Sequence, residues 1–276
     1  MSVRLQTLWD TCSADLKRFA PALEGYFGCP ICMRPVAPTP VLTDVVAEEH
    51  VVPKSLGGRL TTLTCRRCNN SAGSKLESHL VRRVRIDAGK APSSMRLQVG
   101  GAVQRGKIYV SPDEGEPIRI EIVDKQSDPR QAPELERLVK EGVEEMHLSV
   151  NSGYIPLRTA VALIRSAYLL MFRTFGYRYV FDCSADVVRD QVADPTRETD
   201  VLTGVAYRVN AGLPSETALA IATAPNGQSC FLAVLELDHD SAHMAVVTLP
   251  PPGVDGADFF HTLAASGKTR TEARRV

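Results

Sequence analysis

With 276 residues, 44% of them apolar and 23% charged, the chain is long enough for two domains and a well-buried core, and its composition is far from that of a disordered protein. The formal net charge of zero divides unevenly: residues 1–110 carry 16 Lys plus Arg against 8 Asp plus Glu, and the remaining 166 carry 16 against 24. A basic half precedes an acidic half.

The opening residues reach Asp10 before an apolar core can form, so no secretory signal is expected and the cytoplasm is the expected compartment. Leu5, Leu8, Trp9, Cys12, Leu16 and Phe19 recur at three- and four-residue steps and stop before Pro21, which predicts an amphipathic helix. Four of the seven cysteines then fall in two identical spacings, Cys29-x-x-Cys32 and Cys65-x-x-Cys68. In a reducing compartment two such pairs predict one tetrahedral Cys₄ zinc site, each knuckle supplying two thiolates, with an insertion between them.

Between the knuckles, the β-branched run Val41 to Val52 surrounds Asp44, Glu48, Glu49 and His50, and Pro53 to Arg59 supplies a Gly-rich connection. A strand pair is predicted there. After the second knuckle Asn69 offers a helix cap, and Leu76, Leu80 and Val84 at spacing four predict a helix bearing Arg82, Arg83 and Arg85. The order is knuckle, β-β, knuckle, α, in a segment small enough to need zinc.

The run Glu49-His50-Val51-Val52-Pro53-Lys54-Ser55-Leu56-Gly57-Gly58, followed by Cys65-x-x-Cys68-Asn69-Asn70-x-x-Gly73, resembles the HNH endonucleases of the ββα-metal type, in the subgroup with two zinc knuckles and a terminal Asn. The resemblance covers residues 29 to 85. It implies cleavage of nucleic acid, with double-stranded DNA as the expected partner. Phosphodiester hydrolysis needs a base for water, a divalent cation for the phosphate, and side-chain cations for the backbone. His50 is the first histidine of the chain and suits the base. By the same resemblance Glu49 and Asn69, with Asn70 as the neighbouring alternative, would hold Mg²⁺ or Mn²⁺, and Lys54, Arg66, Arg67 and Lys75 would line the phosphate path. Relatives commonly carry an Asn between the His and the second knuckle; none occurs between His50 and Cys65.

Past a linker at Gly89 to Ser94 the pattern changes. Short strands are predicted at 95–99, 107–110 and 118–123, a charged helix at 133–148, and an apolar helix at 157–175 in which Arg158, Arg165 and Arg173 exclude a membrane span. Strands at 201–209, 217–223, 231–237 and 244–249, with a Pro225-Asn226-Gly227 turn, predict a largely antiparallel sheet. Glu236, Asp238, His239, Asp240 and His243 read as a solvated turn. The predicted class is α+β, with residues 1–90 as a helix plus nuclease domain and 91–276 as a second α+β domain with a regulatory, sensing or partner-binding role, open to a small ligand or a protein. Three functions are carried forward: a metal-dependent endonuclease, which the resemblance alone sets in bacterial defence or mobile-element biology, a non-catalytic zinc-stabilised nucleic-acid-binding module, and a ligand sensor with the nuclease as output.

Overall fold

The computed structural model describes residues 3–99, 102–109, 119–122, 132–142, 146–207, 216–223, 228–238, 243–266 and 272–275. The fold is α+β, and contacts divide it into two units: residues 1–80 with 156–276, and residues 81–155. This grouping differs from a division at residue 90, because a helix near the middle of the chain packs on the zinc-knuckle segment.

In the first unit the predicted N-terminal helix is α1 (Val3–Phe19), which buries Leu5, Trp9 and Leu16 and sets the Trp9 ring 6.0 Å from that of Phe27. The first knuckle is carried by a short hairpin, β1 (Phe27–Gly28) with β2 (Pro35–Val36). Next come β3 (Val46–His50) and β4 (Thr61–Cys65), antiparallel with Glu49 opposite Thr62 and His50 opposite Thr61, and then α2 (Arg66–Ala72). That is the expected ββα order. Its glycine turn has a steric reason: Gly57 is left-handed (φ 84°), and a Cβ on Gly58 would stand 1.7 Å from the Val52 carbonyl oxygen. Asn69 does not cap α2. The cap position is Cys65, so Asn69 lies a full turn inside the helix, which a π turn (Gly73–Glu77) joins to α3 (Ser78–Asp87).

The second unit contains a four-stranded antiparallel sheet ordered β7-β6-β5-β8 among the described residues, made of β5 (Ser93–Val99), β6 (Ala102–Tyr109), β7 (Arg119–Ile122) and β8 (Met146–Asn151), with α4 (Ala132–Glu141) before its last strand. The predicted helix 133–148 is therefore corrected. Helix geometry stops at Glu141, ahead of the left-handed Gly142 (φ 83°), and the alternating Met146 to Asn151 pairs with β5. Residues 110, 118 and 123 of the predicted strands lie outside the described residues.

The chain returns to the first unit with α5 (Pro156–Phe175), which is buried from Val161 to Phe172, then α6 (Tyr177–Val180) and α7 (Cys183–Ala193). An antiparallel sheet ordered β13-β10-β11-β12-β9 follows: β9 (Val205–Tyr207), β10 (Ala218–Thr223), β11 (Ser229–Asp238), β12 (His243–Leu249) and, after α8 (Gly256–Ser266), β13 (Glu272–Arg275). Helix α5 contacts β11 and β12 and also β4 and the π turn, so one apolar helix serves both the sheet core and the ββα segment. The Pro225 turn, His239 and Asp240 lie outside the described residues. His243 is not solvated as predicted: it starts β12, is buried, and its ring stands 6.5 Å from that of Tyr207. No helix among the described residues is long and apolar enough to cross a membrane.

Candidate metal centres and nuclease site

The hairpin brings Cys29 and Cys32 to the N-terminus of α2, where Cys65 and Cys68 sit one turn apart. All four sulfurs lie within 4.8 Å of one another, and among the described residues this is the only metal-ligating cluster. The Sγ atoms of Cys32 and Cys65 are 3.8 Å apart. That is the edge of a tetrahedron with arms of about 2.3 Å, the Zn–S distance. Hydrogen bonding to Cys32 and then Cys65 pushes the Cys29 thiol up, whereas the bond from Cys29 holds Cys32 down. The donor set, its spacing and its burial fit structural zinc.

Distant elements fix this knuckle in place. The Tyr177 hydroxyl donates to the Gly28 carbonyl (2.5 Å) and accepts from the Gly28 N–H (3.0 Å), while the Tyr168 hydroxyl donates to the Pro30 carbonyl (2.8 Å). Desolvation by burial pushes the Tyr168 phenol up to about 12, so it remains a donor across the working pH range.

The predicted catalytic pair separates on the strand. Glu49 is buried, 3% exposed, and points toward α2, where the Asn69 side-chain amide donates to Oε2 (2.5 Å) and the Thr64 hydroxyl to the same oxygen (3.2 Å). His50, the last residue of β3, is half-exposed. The carboxylate and the amide thus converge as a shared cation requires, once the amide presents its oxygen by a half-turn about its own bond. Asn70 is exposed.

The other oxygen of Glu49 is taken by a residue that the sequence reading used only against a membrane span. Arg165 of α5, 3% exposed, places Nη1 3.0 Å from Glu49 Oε1 and 3.1 Å from Glu77 Oε1. Burial alone would lower the guanidinium's pKa; Glu49 and then Glu77 more than reverse this and raise it. Glu77 is itself raised to about 7, by burial first and the Glu49 charge second, with Arg165 opposing. The other two arginines of α5 reach the same segment: Arg158 Nη1 lies 3.4 Å from His79 Nε2, and the Arg173 guanidinium donates to the Thr61 carbonyl. Spacings of seven and eight put all three on one helix stripe. An arginine at the centre of a run buried from Val161 to Phe172 is the signal that could have found Arg165, since a buried guanidinium requires a carboxylate.

The four predicted backbone-binding cations are exposed, in different settings. Lys54 stands in a short helical turn beside the Gly57-Gly58 bend. The Arg66 guanidinium donates to the Thr43 carbonyl and braces the segment before β3. Arg67 and Lys75 line a cavity on the knuckle side of α2.

Residues 29–85 match the family model described as HNH endonuclease. No curated protein and no solved structure matches the chain. The family match therefore covers the zinc knuckles, the ββα core and Glu77, and stops well before Arg165.

Proposed function

We propose that the zinc-clamped ββα segment is a metal-dependent endonuclease that hydrolyses phosphodiester bonds in nucleic acid, with double-stranded DNA as its substrate. The observation that carries this reading is the convergence of Glu49 on β3 and Asn69 on α2, within the segment that matches the HNH family and next to His50 at the strand end. In this assignment His50 accepts a proton from the attacking water, and the half-exposed ring at the end of β3 is open to solvent on one side. Glu49 Oε2 and the Asn69 amide oxygen hold Mg²⁺ or Mn²⁺, while Arg165 fixes the carboxylate through Oε1 and so presents one edge of it. The divalent ion, when bound, offsets charge on the phosphate and on the leaving oxygen. Lys54, beside the Gly57-Gly58 bend, holds the backbone.

The test is cleavage rate against Mg²⁺ or Mn²⁺ concentration. His50→Ala loses about 10²-fold or more and is not rescued by metal, because only a proton acceptor is gone. Asn69→Ala loses a ligand and is partly rescued by raised metal. Wild-type cleavage equal to that of His50→Ala refutes the base assignment. The ion pair of Arg165 with Glu49 supports a second reading, a zinc-stabilised nucleic-acid-binding module without catalysis. On that reading the wild type binds DNA and cuts none at any metal concentration.

A further inference from the structure

A cavity of about 360 Å³ lies on the knuckle side of α2, away from the Glu49–Asn69 contact. Its walls bring together Arg34 from the first knuckle, Arg67, Ser71 and Lys75 from α2 and the π turn, and Arg165 from α5; Cys32 and Cys68 of the four-cysteine cluster also line it, and among the described residues no carboxylate does. Residues 67, 71 and 75 follow one another at steps of four, so one stripe of the helix presents two cations and a hydroxyl to the cavity, while Asn69 faces the other way toward Glu49.

The second observation is an unmet donor. Arg165 spends Nη1 on Glu49 and Glu77, and its Nη2, fully shielded in a side chain 4% exposed, has no acceptor among the described residues. A buried charged donor left unpaired costs about 1–3 kcal/mol or more, so such groups mark the place of an acceptor that belongs to the site. An acceptor able to engage a guanidinium fork and three further cations is a compact oxyanion of more than one charge. The volume is that of a small-ligand pocket rather than a duplex groove.

We infer that this cavity is an anion site for a phosphate monoester, formed by Arg34, Arg67 and Lys75 with Arg165 at its inner wall, and with Ser71 as an additional hydrogen-bonding group. The monoester comes either from a free nucleotide or from the phosphorylated end of a nucleic-acid strand. Because the anion and Glu49 share the Arg165 guanidinium, occupancy of the cavity is coupled to the candidate catalytic carboxylate. The site needs no phosphodiester cleavage to exist, so its test is independent of the nuclease assignment.

The experiment uses the full zinc-loaded chain and titration calorimetry with inorganic phosphate, AMP and adenosine, followed by competition between 5′-phosphorylated and 5′-hydroxyl single-stranded oligonucleotides. Phosphate and AMP bind and adenosine does not. Arg34→Ala and Lys75→Ala, both exposed side chains whose loss leaves the core intact, each weaken AMP about tenfold, the equivalent of about 1.4 kcal/mol per lost charge-assisted bond. A preference of tenfold or more for the 5′-phosphorylated strand assigns the strand end; equal binding of the two strands, with AMP tighter than either, assigns the free nucleotide. Two results overturn the inference: no heat and no competition from phosphate or AMP at millimolar concentration, which leaves water as the partner of Arg165, or AMP affinity unchanged in Arg34→Ala and Lys75→Ala while zinc is lost more readily, which assigns these cations to the thiolates instead.

Discussion

Replacing Arg165 by Met keeps the aliphatic stem and removes the charge that faces Glu49 and Glu77. The Arg165 and Glu49 side chains are each 4% exposed, and Glu77 is 26% exposed. Removing one partner of a buried ion pair costs about 3–5 kcal/mol, because the remaining charge is stranded. Glu49 retains its bonds from Asn69 and Thr64, which places the expected loss for Arg165→Met at the lower end, about 3 kcal/mol. Adding Glu49→Gln neutralises the stranded carboxylate and preserves an acceptor for Asn69, so the double variant recovers about 2 kcal/mol of that loss. Adding Glu77→Gln instead recovers less, about 1 kcal/mol, because Glu77 is more exposed and already binds a proton near pH 7. The assay is guanidinium denaturation of the zinc-loaded protein at neutral pH, read as a double-mutant cycle at each carboxylate. A loss below about 1 kcal/mol for Arg165→Met, or coupling to Glu77 as large as that to Glu49, would refute the account of α5 as the neutralising element.

Zinc removal is expected to unfold the ββα segment: Cys65→Ser, or chelation of the wild type, abolishes its cooperative transition, and one zinc per chain is found in protein prepared without chelator. Gly58→Ala forces the Val52 carbonyl to move and costs about 3 kcal/mol, whereas Gly57→Ala meets open space, pays only for its left-handed backbone, and costs about 1 kcal/mol; equal losses in thermal melts would contradict the geometry. Asp182 caps α7: burial would raise its carboxyl pKa, but the N–H groups of Gly253 and Ser184 outweigh this and lower it. Since the folded-state value lies below the unfolded one, the cap's contribution is full above about pH 4 and disappears as pH falls through the folded value. Asp182→Ala therefore loses about 1 kcal/mol at pH 7 and converges on wild type in acid; a gap that persists at pH 2 would show that the cap is not electrostatic.

The parts of the fold legible in the sequence are those set by local chemistry. The two Cys-x-x-Cys spacings predict the four-sulfur cluster, and Leu76, Leu80 and Val84 at steps of four are all buried as predicted. The strand pair around Glu49 and His50 and the sheet strands after residue 217 also follow from β-branched alternation. Three features were not legible. Asn69 reads as a cap because Asn favours that position, yet Cys65 occupies the cap and the helix starts four residues earlier. The strand at Met146 to Asn151 continues a charged helical pattern without a Pro, and only the pairing with β5 decides its conformation. Arg165 contributes to the site across 116 residues of sequence, a separation over which no periodicity carries information.

Arg158, Arg165 and Arg173, with Tyr168 and Tyr177, bear on how far the family-matching segment can be moved into another protein. Excised at its family limits, the 29–85 piece would carry Glu49 and Glu77 with no guanidinium between them, a knuckle whose Pro30 carbonyl has lost its phenol donor, and an apolar face stripped of its helix. A transplant that keeps these partners must therefore include Pro156–Val180 as well as α3 through Asp87. Such a segment is a graft with a long-range root, and its boundaries are set by where the buried charges are answered rather than by where the motif ends.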